Sequence, residues 1–135
     1  DEFAGITLPH ELEEWFRRAG YTDVVSDARV VVDQEEENAR RAEAHYRNGY
    51  RVCLFIHANM LEKETQGDVS AGPNHWVVLT STFALDTAVV DGRTVGTTSS
   101  TIYTWGEGRR RVPRTGILPV DEFLDSYYGF VAAKY

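Results

Sequence analysis

A single cysteine, Cys53, stands in a chain of 135 residues. It excludes an internal disulfide framework and a multi-cysteine zinc site. Positive charge is also short. The formal net charge is −7, which excludes a general nucleic-acid binder, because phosphate recognition needs a positive field. No apolar run approaches the ~20 residues of a membrane-spanning helix, and no signal-peptide pattern is visible. Gly-x-Gly-x-x-Gly, the phosphate loop and Gly-x-Ser-x-Gly are all missing, which removes dinucleotide, phosphate-loop and α/β-hydrolase chemistry. The four histidines, His10, His45, His57 and His75, form no His-Glu-x-x-His run and no helical i, i+4 pair, so neither a metal nor another cofactor is expected. What is present suits one folded domain over residues 1–135, with 42% hydrophobic residues, three Trp, seven Tyr and six Phe for a core. The opening Asp1-Glu2-Phe3, with no initiator Met, predicts a natural chain that extends upstream, with this segment as its C-terminal part.

Two helices are expected first. Leu8, Leu12, Trp15, Phe16 and Ala19 fall on one helical face, with Pro9 at the start, Gly20 at the stop, acids early and arginines late. Residues 28–32 read as a strand or extended arm. Asp33 then caps a second helix to about Arg47, with Glu36 completing a capping box. Its apolar face is only Ala39, Ala42 and Tyr46, which predicts a surface helix laced by Glu-to-Arg pairs at i, i+4.

From there the chain turns to strands. Tyr50–Leu61 carries apolar residues on both faces, the mark of a central strand. Residues 62–73 form a long polar loop of the kind that often carries function. Residues 74–81, Asn-His-Trp-Val-Val-Leu-Thr-Ser, read as a buried strand opening on His75. Asp91-Gly92 between β-branched segments predicts a hairpin. A strand then runs to Trp105, Arg109–Val112 pairs back on it, Leu118 starts a short helix, and Phe130–Tyr135 closes the sheet. The class is α+β: N-terminal helices packed on a mostly antiparallel sheet.

His75 is the best candidate for chemistry. A general base belongs on a rigid element with its ring facing a cleft at a loop, and the first residue of a strand after a Gly-Pro-Asn turn supplies that. A hydrogen-bonded edge histidine is the plainer alternative. Cys53 lies in mid-strand, away from any helix start that would lower its pKa, and reads as structural. Arg109, Arg110 and Arg111, with Arg114, are the only basic cluster; they are either a solvated strand-edge guard or a contact for an acidic partner.

The residues from Gly49 to Tyr135 resemble the second half of a papain-like cysteine peptidase fold. The likeness rests on the central strand Tyr50–Ala58, the strand His75-Trp76-Val77-Val78-Leu79, and Tyr103-Thr104-Trp105-Gly106 closing a later strand. Bacterial relatives, secreted toxin and effector domains among them, often finish with a short helix and a strand, as Leu118–Tyr135 does. The resemblance implies a hydrolase of peptide or amide bonds, a protease or deamidase. His75 would be the base, Thr104 its hydrogen-bond partner, and Trp105 its shield from water. The chain departs from the pattern at three points. No Cys opens either helix, Tyr103 stands where an Asn or Asp orienter would, and no Gln precedes a nucleophile. The nucleophile is therefore expected upstream of Asp1. Two alternatives stay open: an inactive papain-like module that binds a protein or peptide partner through Trp105, Arg109, Arg110 and Arg111 and the 62–73 loop, and a small acidic adaptor.

Overall fold

The computed structural model describes residues 7–28, 35–57, 75–81, 84–104, 108–112, 118–119, 124–125 and 127–135. The elements, in chain order, are α1 (Pro9–Arg18), β1 (Asp23–Ala28), α2 (Glu35–Arg47), β2 (Arg51–Ile56), β3 (His75–Leu79), β4 (Ala84–Val90), β5 (Arg93–Thr104), β6 (Gly108–Val112), β7 (Leu118–Pro119) and β8 (Tyr127–Lys134). The strands form one sheet in the order β1-β8-β2-β3-β5-β4, with β6 and β7 paired to β5. Every pairing is antiparallel. The α+β reading is therefore observed.

The two helices lie on opposite faces of the sheet. Val52, Leu54 and Ile56 of β2 join Ala39 and Ala42 of α2 in one buried cluster. Cys53, the odd member of the alternation, joins Phe16 of α1 and Val131 and Ala133 of β8 in the other. Covered on both sides, β2 is buried from Val52 to Ile56, as a strand with two apolar faces requires. The C-terminal strand β8 does not close an edge. It inserts between β1 and β2 and is itself buried from Phe130 to Ala133.

The apolar face of α1 is where its periodicity puts it, but the sheet covers only part of it. Phe16 is 2% exposed and Trp15 is 59% exposed. Glu11 accepts the Leu8 backbone N–H at 2.9 Å, so the acid half of a capping box closes the first turn although Leu8 has no side-chain acceptor. The thin face expected of α2 is the one that meets the sheet: Ala39 and Ala42 are buried and Tyr46 packs against the same cluster, with Asn38 buried beside them. The i, i+4 pairs are present on its outer side, Glu36–Arg40 at 3.1 Å, Glu37–Arg41 at 3.4 Å and Glu43–Arg47 at 3.1 Å. Asp33 and the 29–32 arm lie outside the described residues.

The hairpin between β4 and β5 is observed. Asp91 and Gly92 both have positive φ, 52° and 77°, the signature of a type I′ turn. The short helix expected from Leu118 is corrected at its start. Leu118 and Pro119 pair as a strand with Thr98 and Thr97 of β5, and the only helical residues described nearby are Leu124 and Asp125.

Candidate functional site

His75 opens β3 and stands opposite Ile56, the last residue of β2. It is half-buried. Strand alternation puts it on the face of Val77 and Leu79, both buried in the α2-side core. On the other side of β3, Val77 pairs with Thr104 of β5. In the register Thr104 is thus the diagonal cross-strand neighbour of His75, a relation that spans about 7–8 Å between Cα atoms. Tyr103 pairs with Val78 instead. It belongs to the α1 face, away from His75, and is 49% exposed. The register separates the two adjacent candidates, Tyr103 and Thr104, which the sequence alone leaves together.

The row through His75 continues across the sheet. Ile56 pairs with His75 on one side and with Tyr127 on the other. The Tyr127 hydroxyl donates to Asn38 Oδ1 at 2.5 Å, and Asn38 lies in the first turns of α2. The start of α2 therefore sits over the same end of the same face as His75. Neither Asn38 nor Tyr127 carries a sequence signal for this role. A buried Asn in a helix of small residues is the one hint, and it reads only as a packing oddity until its partners are known.

The other candidates fall apart in space. Trp105, Arg114 and the 62–73 loop lie outside the described residues. Arg109, Arg110 and Arg111 form β6 opposite Tyr103, Ile102 and Thr101. His57, just past β2, is 8% exposed. His45 hydrogen-bonds the Arg41 carbonyl through Nδ1 at 2.8 Å and meets Tyr50 edge to face at 4.8 Å. His10 is exposed. Among the described residues no group of three or more His, Cys, Asp or Glu could hold a metal ion, and no helix is long and apolar enough to cross a membrane.

Cys53 is 7% exposed, on the α1 face opposite Val78. Burial pushes its thiol from the ordinary 9.0 up to about 12, and the nearby Arg51 charge lowers it only in part. A thiol this protonated at neutral pH is no nucleophile. The consequence for stability has a fixed sign. Between pH 9 and 12 the unfolded chain loses the Cys53 proton and the folded chain keeps it. Stability is then expected to fall by about 1.4 kcal/mol per pH unit from this group alone. Urea denaturation of wild type and Cys53→Ala from pH 8 to 11 checks this. The variant should lose that slope, and equal slopes would contradict the burial argument. Tyr127 acts in the same direction at higher pH, since burial raises its pKa well above 10.0.

On the α1 face, Trp76 stacks on Phe55 with ring centroids 4.3 Å apart. Its Nε1 donates to the Thr7 carbonyl at 2.7 Å, which fixes the entry of α1 to β3. Between α1 and the sheet lies an open cavity of about 770 Å³, lined by Leu12, Trp15, Phe16, Trp76, Val78 and Tyr103 among others. The helical face of the sequence signals Trp15 but not that the sheet leaves it uncovered.

No family model matches the chain, and no curated protein or solved structure matches it.

Proposed function

We propose that the chain is the histidine-bearing part of a papain-like cysteine hydrolase that cleaves peptide or amide bonds, a protease or deamidase of the bacterial toxin or effector kind. His75 acts as the general base. It takes the proton of a thiol supplied by a segment upstream of this chain and later returns it to the leaving amine. The observation that carries the reading is the position of His75: half-buried on the first residue of a strand flanked on both sides. Thr104 is diagonal to it in the β3–β5 register, and the start of α2 lies over that end of the sheet. A base held this way is pre-oriented by the sheet, and a loop end leaves room for a substrate.

The test is hydrolysis of a peptide and a glutamine amide by the full-length natural protein. His75→Ala should lower kcat by at least about 10²-fold with the fold unchanged. Cys53→Ser should leave kcat within about twofold, because a buried, protonated thiol takes no part. Full activity in His75→Ala, or loss of activity in Cys53→Ser with an intact fold, refutes the assignment.

A second reading, a non-catalytic module that binds a protein partner, is favoured by one observation. Trp15 and Tyr103 are 59% and 49% exposed beside the cavity under α1, and exposed aromatics beside an apolar cavity are common anchors of recognition. Partner capture that survives His75→Ala and fails in Trp15→Ala would favour this reading.

A further inference from the structure

The helix α1 roofs only part of the sheet face below it. It packs on β1 and β8, and Phe16 joins Cys53, Val131 and Ala133 in one buried cluster. Beyond that line the face is open. Cys53 pairs with Val78, and Val78 with Tyr103. The three therefore stand in one row across β2, β3 and β5, on the α1 side. All three line the cavity of about 770 Å³ beside the helix. That volume falls within the range of small-molecule sites, about 300–1,000 Å³.

The cavity is a slot tied across at both ends. At the start of α1, Trp76 Nε1 donates to the Thr7 carbonyl at 2.7 Å. Just past its end, Arg51 Nε donates to the Tyr21 hydroxyl at 3.2 Å. Each tie runs from the sheet to the helix segment, and all four residues line the cavity. The ten residues of α1 between the ties span about 15 Å. The walls are aromatic and held in place. Trp76 stacks on Phe55, and Phe16 meets Trp15 and Tyr21 edge to face at 5.4 and 5.0 Å. Trp15 and Tyr103 are exposed at the mouth. The charges at the rim balance, with Glu11 and Glu14 against Arg18 and Arg51. Each is also engaged within the protein. Glu14 pairs with Arg18 at 3.2 Å, Glu11 accepts the Leu8 backbone N–H, and Arg51 holds Tyr21. A charged ligand would give up its hydration here and meet no uncompensated opposite charge.

We propose that this slot binds a free, uncharged, flat aromatic molecule of two or more fused rings. The ligand lies on the floor of Cys53, Val78 and Tyr103, between the edge of Trp76 and the apolar side of α1. Ring-to-ring contacts with Trp15 and Tyr103 hold it at the mouth, and the Cys53 sulfur is a favourable neighbour for an aromatic ring. Because both ends are tied, the slot admits a compact molecule rather than a chain running through it. The site lies on the sheet face away from His75 and does not rest on the hydrolase reading. It shares its cavity with the partner-binding reading, and the test separates the two.

The test is a ¹H–¹⁵N correlation titration of the full-length natural protein with indole, its anionic relative indole-3-acetate and its cationic relative tryptamine. Saturable shifts are expected with indole at the ring N–H groups of Trp15 and Trp76 and at the amides of Cys53, Val78 and Tyr103. Indole should bind more tightly than either charged relative. Trp15→Ala and Tyr103→Ala, both at exposed positions, should keep the dispersed spectrum of the folded protein. Each should weaken indole about fivefold, the scale of one lost aromatic contact. His75→Ala should leave the affinity unchanged, and a loss there would overturn the site. Shifts that stay linear with all three ligands, or an affinity indifferent to both aromatic removals, also overturn it. Tighter binding of indole-3-acetate or tryptamine overturns the uncharged assignment. A blocked Gly-Trp-Gly peptide, which carries the same ring on a chain, should bind more weakly than indole. Equal or tighter binding of that peptide overturns the free molecule in favour of a protein partner.

Discussion

Gly129→Ala is expected to remove at least about 4 kcal/mol of folding stability, enough to leave the variant unfolded or nearly so in water. The position is closed to a side chain in two independent ways. Its φ is +114°, a region that L-residues with a Cβ rarely adopt. A Cβ built there would lie 2.1 Å from the Asp27 carbonyl oxygen and 2.6 Å from Ala28 Cα. Both contacts are with backbone of the paired strand β1, so no side chain can swing away to relieve them. The reason for the crowding is the register. Leu54 pairs with Phe130 and Ile56 with Tyr127, so β8 spends one more residue than β2 between these pairs, a β-bulge. Gly129 sits inside that bulge, opposite Ala28 of β1. Alanine would have to push the end of β1 away from β8. Urea denaturation followed by circular dichroism measures the loss, with Ala28→Gly as a control at the facing position. A Gly129→Ala protein within about 1 kcal/mol of wild type would show that the close approach is not a constraint of the folded state.

This position also shows where sequence reading stops. Gly129 looks like a breaker between a helix and a final strand, and the sequence pattern gives it only that meaning. Its true role depends on two strands, β1 and β2, that lie about 100 and 75 residues earlier and flank it on either side. The features that were legible are local. The α1 periodicity, the Asp91-Gly92 hairpin, the two-faced apolar run of β2 and the opening of β3 on His75 each depend on neighbours within a dozen residues. The thin face of α2 is legible too, with Ala39 and Ala42 buried as their spacing predicts. The burial of Asn38 is not, because an Asn is buried only when both ends of its amide are bonded, and its partners are distant in sequence. The candidate site was legible in part. His75 announces itself by its place in a strand. Its row through Ile56 to Tyr127 follows from β8 lying beside β2, which no spacing in the sequence encodes.

The same buried amide gives the second large effect. Asn38 is 2% exposed, and its side chain ties three elements together. Its Oδ1 accepts the Tyr127 hydroxyl of β8 at 2.5 Å, and its Nδ2 donates to the Asp27 carbonyl of β1 at 3.0 Å. Arg41, one turn further along α2, pairs with the Asp27 carboxylate, so the helix holds the end of β1 twice. Asn38→Leu keeps the branching at Cγ, is somewhat larger, and removes both amide bonds. Buried groups that lose a hydrogen bond each forfeit about 1–3 kcal/mol, so a loss of about 3 kcal/mol is expected. Tyr127→Phe removes one bond and keeps the ring, which is 1% exposed, so about 1–2 kcal/mol should go. The decisive measurement is the double variant. If the two groups meet as the structure places them, Asn38→Leu with Tyr127→Phe should be more stable than the sum of the single losses predicts, by about 1 kcal/mol or more. Phenylalanine brings no hydroxyl to leave facing the leucine. Strict additivity would mean that the two side chains do not share a bond, and α2 would then be tied by hydrogen bonds to β1 and not to β8. Because Tyr127 stands in the row of His75, the cycle also bears on the proposed chemistry. In the full-length protein, a fall in kcat for Tyr127→Phe with an unchanged KM would indicate that this row positions the base as well as the helix.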